Sequence, residues 1–295
     1  MIAAVVVTFS APTEVLDRCL RALCDDGGID RLVVVDTGGA AAIAADLAAW
    51  VELIATENRG YGAAANIGFE AVEGASAIAL LNDDVVVGPG WVTPLVAALA
   101  PDDVGAVQPA LLGLDGDVAS LGVEFDRFGA GHDIGDGAPL PADRSAREID
   151  VFTGGAVLFD AEFLRSTGGF DERLFLYYED VDLAHRGRRL GWRYLVIPAS
   201  TVEHRRGATT GKQRDETRFL QERNRLWNAY RFGSAATIGR ATWLSVRRLR
   251  HEPVDVHRRA LLAGVRGAPR RLIERGRARF ASNASTGPGT ARKVT

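Results

Sequence analysis

Residues 77–84 read AIALLNDD, five apolar side chains that run into an amide and two carboxylates. So short and continuous an apolar run, ended by turn residues, is the mark of a strand buried on both faces of a sheet. Three more runs of this kind lie upstream, at 2–8, 32–35 and 51–55. Ala-rich segments with helical spacing fill the intervals, at about 12–24, 40–50 and 62–73. Strand and helix in alternation predict an α/β fold, a mainly parallel Rossmann-like sheet flanked by helices. In such sheets ligands sit outside the carboxyl ends of the strands. The residues following the four strands are Thr8-Phe9-Ser10, Asp36-Thr37-Gly38-Gly39, ENRGYG (57–62) and Asn82-Asp83-Asp84, small, polar and acidic at every end.

The chain has 295 residues, 47% of them apolar and 25% charged, enough for one large domain or two modest ones. Its formal charge of −3 conceals a split: residues 1–200 hold 13 Lys and Arg against 31 Asp and Glu, whereas 201–295 hold 22 against 7. Cys19 and Cys24 lie five apart on one expected helix, which makes neither a disulfide framework nor a metal site and favours a reducing compartment. The start, IAAVVVTF, has no basic n-region, and no stretch has the roughly 18–20 continuous apolar residues that span a bilayer. The expected location is cytoplasmic, with peripheral attachment at the inner face of the cell membrane left open.

Beyond residue 100, shorter strands are expected at 104–108, 118–125 and 150–159, with a Gly/Pro/Asp-rich loop at 129–143. A helix at about 179–190 and a strand at 192–197, ended by Pro198, come next. Helical periodicity then runs from Asp215 towards Phe280, and the final NASTGPGTARKVT is expected to be disordered.

The first turn holds no glycine, so the dinucleotide fingerprint G-x-G-x-x-G is missing, and no P-loop sequence occurs. Asn82-Asp83-Asp84 carries more information. Adjacent carboxylates ending an apolar strand repel one another and are partly desolvated unless a cation joins them. A hard divalent ion held by a diphosphate is the natural partner, and an exposed acidic turn is the plain alternative. A second cluster, GGFDERLFLYYEDVDLAHRGRRLGW (168–192), places Glu179, Asp180 and Asp182 after Tyr177-Tyr178. Acids at a helix start complement its dipole; a carboxylate beside aromatic rings at a pocket edge is also a candidate general base. His204, just past the returning strand, is either a surface histidine or a neutral imidazole within reach of the metal.

Taken in order, VVVTFS, VVVDTGG, ENRGYGAAANIGFE, LLNDDVVVGPGWV, TGGAVLF, the 168–192 cluster and P-x-x-x-V-x-H-x-x-G resemble the family 2 glycosyltransferases of GT-A fold, over about residues 2–210. Within that family the likeness is to the bacterial rhamnosyltransferase-like branch. The resemblance implies that Thr8, Phe9, Asp36 and Asn58 hold the base and ribose of a nucleotide-sugar donor, with Asn66 supporting the neighbouring loop. Asn82-Asp83-Asp84 resembles the D-x-D-type element, Asp83 near the ribose or sugar and Asp84 on Mg2+ or Mn2+. His204 resembles the histidine that completes the metal site, and Glu179-Asp180 the acidic pair whose second member is the base. Two departures stand out: Thr37-Gly38 where the family often has D-N-x-S, and Asn82 where the metal motif usually begins with Asp.

The implied domains are a catalytic unit at 1–234, with a nucleotide-sugar half at 1–110 and an acceptor and catalytic half at 111–234. A basic amphipathic helical extension at 235–282 and a disordered tail at 283–295 follow. The implied reaction is inverting transfer, best assigned to dTDP-L-rhamnose as donor and a glycan or polyprenyl-linked glycan as acceptor. Galactofuranosyl, mannosyl and glucosyl transfer are the alternatives, and an inactive binding or scaffold protein is the rival of another class. The Arg-rich tail shows no finger, RNP-like or helix-turn-helix pattern, so no nucleic-acid partner is expected. It reads either as interfacial helices on an anionic membrane or as helices packed on the acidic domain and its neighbour in a homo-oligomer.

Overall fold

The computed structural model describes residues 1–205 and 214–285. The first half contains β1 (Ile2–Thr8), α1 (Thr13–Asp26), β2 (Arg31–Asp36), β3 (Val51–Ala55), α2 (Tyr61–Ala71), β4 (Ala77–Asn82), β5 (Val85–Val87), α3 (Val92–Ala98) and β6 (Val104–Leu112). Short strands β7 (Val118–Ser120), β8 (Val123–Phe125), β9 (Gly131–Asp133) and β10 (Arg147–Ile149) precede β11 (Ala156–Asp160), α4 (Ala161–Thr167), α5 (Glu179–Arg189) and β12 (Arg193–His204). Three helices end the described chain: α6 (Arg214–Phe232), α7 (Ala235–Arg248) and α8 (Val254–Ser285).

The sheet order is β10-β12-β6-β11-β4-β1-β2-β3, with β5 added to β12 and β7 to β6. β3, β2, β1 and β4 are mutually parallel, as are β6 and β12. β11 alone is inserted between β4 and β6 antiparallel to β4, so the residues before it, 153–155, lie at the edge where β1 to β4 end. Side chains of β1 alternate between two cores: Ala3, Val5 and Val7 meet α2, α4 and α5, while Ala4 and Val6 meet α1 and α3. The buried residues of α1, Leu16, Cys19, Leu20 and Leu23, repeat at i, i+3, i+4 and i+7. The result is the mainly parallel, helix-flanked sheet that the strand pattern predicts.

Several expectations need correction. Residues 40–50 form turns rather than a helix; in this segment only Leu47 is buried, and so short an Ala-rich piece is not helical without a packed face. The 118–125 strand is broken at Gly122, which has φ 114°, into β7 and β8. The expected loop at 129–143 contributes β9, paired with β8. The 150–159 strand shrinks to β11, with Val151 keeping one isolated bridge to Val123. Pro198 does not end the last strand. The ladder with β6 shifts register between Ile197 and Thr201, and this bulge accommodates the proline so that β12 reaches His204. The last helix runs to Ser285, so 283–285 continue it; the remainder of the expected tail, 286–295, lies outside the described residues.

The basic helices are not a detached extension. α6 packs along α8, and Leu226, Ala229, Tyr230 and Ala241 make a small core of their own. Ion pairs tie these helices to the segment around α5: Arg271 of α8 is 2.7 Å from Asp171, Glu274 of α8 is 2.8 Å from Arg173, and Arg231 of α6 bonds Asp182. No helix among the described residues is long and apolar enough to cross a membrane.

Candidate active site

A cavity of about 690 Å3 opens at the carboxyl ends of β1, β2 and β4. Of the expected site residues, Phe9, Asn58, Asn82, Asp83, Asp84, Glu179, Asp180 and His204 line it. Three do not face it. The Asp36 carboxylate accepts the N–H groups of Gly38, Gly39 and Ala41, shaping the turn that brings Thr37 to the cavity wall. The buried Thr8 side chain holds the Asp83 carboxyl down against burial. Asn66 reaches over to Phe170 and Glu172, donating to the Phe170 carbonyl at 3.1 Å and accepting the Phe170 N–H at 2.9 Å, so it braces the loop before the acidic pair.

The order of β5 and β12 brings the second carboxylate and the histidine together. His204 is registered opposite Val85, the residue after Asp84. Their side chains are nearly buried, with Asp84 Oδ1 3.2 Å from His204 Nε2. Asp84 Oδ1 and His204 Nδ1 are buried without a hydrogen-bond partner. Two ligands at right angles around one small ion, each at about 2.1 Å, stand roughly 3 Å apart, so Asp84 Oδ1 and His204 Nε2 have the spacing, and Asp84 Oδ1 the unsatisfied lone pair, that a divalent ion requires. Among the described residues no third His, Cys, Asp or Glu joins them; further ligands would come from donor phosphates and water. Beside them, burial pushes the Asp83 carboxyl up to about 6, against the hydrogen bonds of Thr8 and the Phe9 N–H.

Across the cavity the acidic pair opens α5. Asp180 Oδ2 accepts the Gly154 N–H at 3.0 Å and Oδ1 its neighbour Val181 N–H at 2.8 Å, while Glu179 Oε2 is buried with no partner. Burial raises both carboxyls, and Asp180 pushes Glu179 further, well above the usual carboxylate range. Tyr61, whose role the sequence did not mark, donates its hydroxyl to the Gly154 carbonyl at 2.7 Å; burial and then Glu179 and Asp180 raise its pKa.

The loop leading into this pair is strained. Phe175, Tyr177 and Tyr178 all have φ between 66° and 69°, a conformation costing roughly 1–2 kcal/mol for each residue with a Cβ. It is held from two sides. The Phe175 carbonyl accepts the Tyr61 N–H at 2.7 Å beside Gly60, where φ is 101° and any Cβ would lie 2.3 Å from that carbonyl oxygen. From α6, fully buried Asn224 donates to the carbonyls of Leu174, Leu176 and Tyr177 at 2.7–2.9 Å. A polar side chain four residues after the buried Leu220 was the available signal for Asn224.

Residues 3–122 match the family model described as Glycosyl transferase family 2. Over that segment the chain is similar to the family 2 glycosyltransferases. A curated family relative from Mycobacterium tuberculosis, the N-acetylglucosaminyl-diphospho-decaprenol L-rhamnosyltransferase, is 30% identical over 149 residues, 46% of this chain and 48% of that protein. The chain thus spans about half the length of that relative. Among solved structures, GalNAc-T7 with UDP, GalNAc and Mn2+ superposes with a TM-score of 0.66 at 15% identity, covering 88% of this chain and 54% of the other. The mannosyltransferase PcManGT of Pyrobaculum calidifontis, in complex with GDP-Man and Mn2+, gives 0.51 at 14% identity, covering 98% and 76%. At these identities the two structures speak for the fold.

Proposed function

We propose that this chain is a family 2 glycosyltransferase that transfers a sugar, with inversion, from a nucleotide-diphospho-sugar to a hydroxyl of a glycan or polyprenyl-linked glycan, in cell-wall or surface-polysaccharide synthesis. dTDP-L-rhamnose is the donor we favour, on the likeness to the mycobacterial L-rhamnosyltransferase. The observation that carries the reading is the single cavity wall shared by Asp83, Asp84 and His204 on one side and Glu179-Asp180 on the other.

Phe9, Thr37, Asn58 and Asp83 are placed to hold the nucleoside end of the donor. Asp84 and His204 would hold Mg2+ or Mn2+, which when bound neutralises charge growing on the departing diphosphate. Asp180, fixed by the Gly154 and Val181 N–H groups, takes the proton of the acceptor hydroxyl. That oxygen attacks the anomeric carbon from the face opposite the diphosphate, the new C–O bond forms as the old one breaks, and the nucleoside diphosphate leaves. A single displacement of this kind inverts the anomeric centre, as in inverting glycoside hydrolysis. Exposed Phe175, with Leu176 and Tyr177, borders the side from which the acceptor enters.

The test is a thermal-shift screen of nucleotide sugars with and without Mn2+, because a bound donor stabilises by mass action. The expected result is a Mn2+-dependent rise with dTDP-L-rhamnose, followed by transfer to a prenyl-diphosphate-linked sugar. A larger rise with a UDP- or GDP-sugar would replace the donor, and binding without transfer or donor hydrolysis would favour the inactive-scaffold reading.

A further inference from the structure

A second cavity, of about 510 Å3, lies between α6, α7 and the start of α8, and the transfer chemistry above does not use it. Its wall carries Arg218 from α6, Arg247, Arg248 and His251 from the end of α7 and beyond, and His257 from α8. Two carboxylates, Glu222 and Glu252, face these groups. Glu222 is already engaged: it is buried, lies 3.0 Å from Arg225 and also pairs with Arg248. Glu252 accepts the Val254 N–H at 3.2 Å. Among the described residues, Arg218 and Arg247 have no carboxylate partner; the Arg247 guanidinium lies over the Trp243 ring. His257 is only 8% exposed, and its Nδ1 has no hydrogen-bond partner. Burial lowers the His257 pKa, and Arg248, Arg218 and His251 push it the same way, which is the signature of cations converging without enough anion.

We propose that this cavity binds a phosphate-bearing group, a diphosphate carried by a lipid or free in solution. Guanidinium forks match phosphate oxygens two at a time. The position fits a substrate-linked role. Thr217 lines the catalytic crevice and Arg218 the basic cavity, so the two sites flank one turn of α6. On α8, Val254, Leu262 and Val265 are exposed, which suits a phosphate attached to an apolar tail. Binding here is independent of which sugar the crevice transfers.

The test is calorimetric titration of the full chain, in EDTA, with inorganic pyrophosphate, farnesyl diphosphate and farnesol. Both diphosphates should bind and farnesol should not. The double variant Arg218→Gln/Arg247→Gln alters two exposed side chains and should melt as the parent does, yet lose affinity by about tenfold or more. Asp84→Ala, which alters only the crevice, should leave pyrophosphate binding unchanged. Tighter binding of farnesyl diphosphate than of pyrophosphate assigns the site to a lipid-borne group, and equal affinity to a free anion. The proposal is overturned if neither diphosphate binds, if farnesol binds as well as its diphosphate, or if binding survives in the double variant and is lost in Asp84→Ala. Sugar-transfer assays are not part of the readout, so failure of the donor assignment would leave these outcomes intact.

Discussion

Asp180 and Glu179 are neighbours in sequence and are held quite differently. Two backbone N–H groups orient the Asp180 carboxylate, whereas a Glu179 oxygen is buried without a partner. The oriented, partly stabilised acid is the better base, and the orphaned one stays protonated more readily beside it. Asp180→Asn should lower kcat by about two to four orders of magnitude with donor binding kept; titration calorimetry alongside steady-state kinetics checks both halves. A protonated carboxyl cannot accept the acceptor proton, and burial raises the Asp180 pKa. The rising limb of the wild-type pH–rate profile should therefore lie above the ordinary aspartate value of about 3.9. Asp84→Ala should abolish the dependence of donor binding on Mn2+, read by thermal shift, and unchanged Mn2+ titration would remove Asp84 from the metal site. The residue types at these positions were legible from the motifs. Asp36 was legible as a strand-end acid, but its commitment to three turn N–H groups was not, because that depends on backbone the motif does not describe.

At the scale of elements, the short loop between the 3-10 turn Glu172–Leu174 and α5 carries the burden. Three positive-φ residues among four, Phe175, Tyr177 and Tyr178, shape the loop that brings Tyr177, Tyr178 and the acidic pair to the cavity, and Asn224 on α6 holds three of its carbonyls. Asn224→Ala would take this donor from the Leu176 and Tyr177 carbonyls, while Leu174 keeps Arg223 at 2.7 Å, costing about 1–3 kcal/mol. We expect kcat to fall at least about tenfold while donor Kd changes little, since the loop leads into the proposed base and not into the proposed nucleotide site. Denaturant melts and kinetics on the same preparation check this; stability loss with unchanged kcat would make Asn224 a folding residue only. The bulge in β12 works in the same way, carrying the strand past Pro198 so that His204 reaches Asp84. Proline in the sequence marked a break, and only the partner strand β6 shows that the ladder resumes beyond it.

For the whole molecule, the opposed charges of the two parts are in good measure complementary surfaces of one body. Asp171 sits among Arg173, Arg231 and Arg271, with Glu274 and Asp182 completing the cluster that ties α6 and α8 to the segment before α5. Burial alone would raise the Asp171 pKa, but Arg173 and Arg271 outweigh it and hold the carboxyl well below the usual range. Arg271→Gln leaves buried acids short of a cation and should cost about 3 kcal/mol, measured by urea unfolding. The sign with pH follows. A carboxyl with a lowered pKa stabilises the fold above its unfolded value of about 3.9, and that stability is lost as pH falls. His185 acts earlier. Ringed by Phe125 and Phe232, it is pulled down to about 4 by burial. Its contribution is present above the unfolded value of about 6.5 and disappears as pH drops towards 4, amounting to about 3 kcal/mol. His185→Phe should remove most of the stability loss over that interval, and an unaltered acid slope would show that another group titrates there.

The sequence by itself determined the parallel strands, the crevice at their carboxyl ends and most of the chemical groups that line it, because continuous apolar runs and strand-end turn residues are local properties of the chain. It also marked the charge asymmetry without saying what it was for. Tertiary structure alone decided that Asp84 meets His204 and that Asn224 braces the acidic loop. It likewise decided that the basic helices close on the acidic catalytic part while leaving one cationic cavity unmatched. Each of these joins residues far apart along the chain, and such pairings depend on strand order and helix docking, which no local pattern encodes.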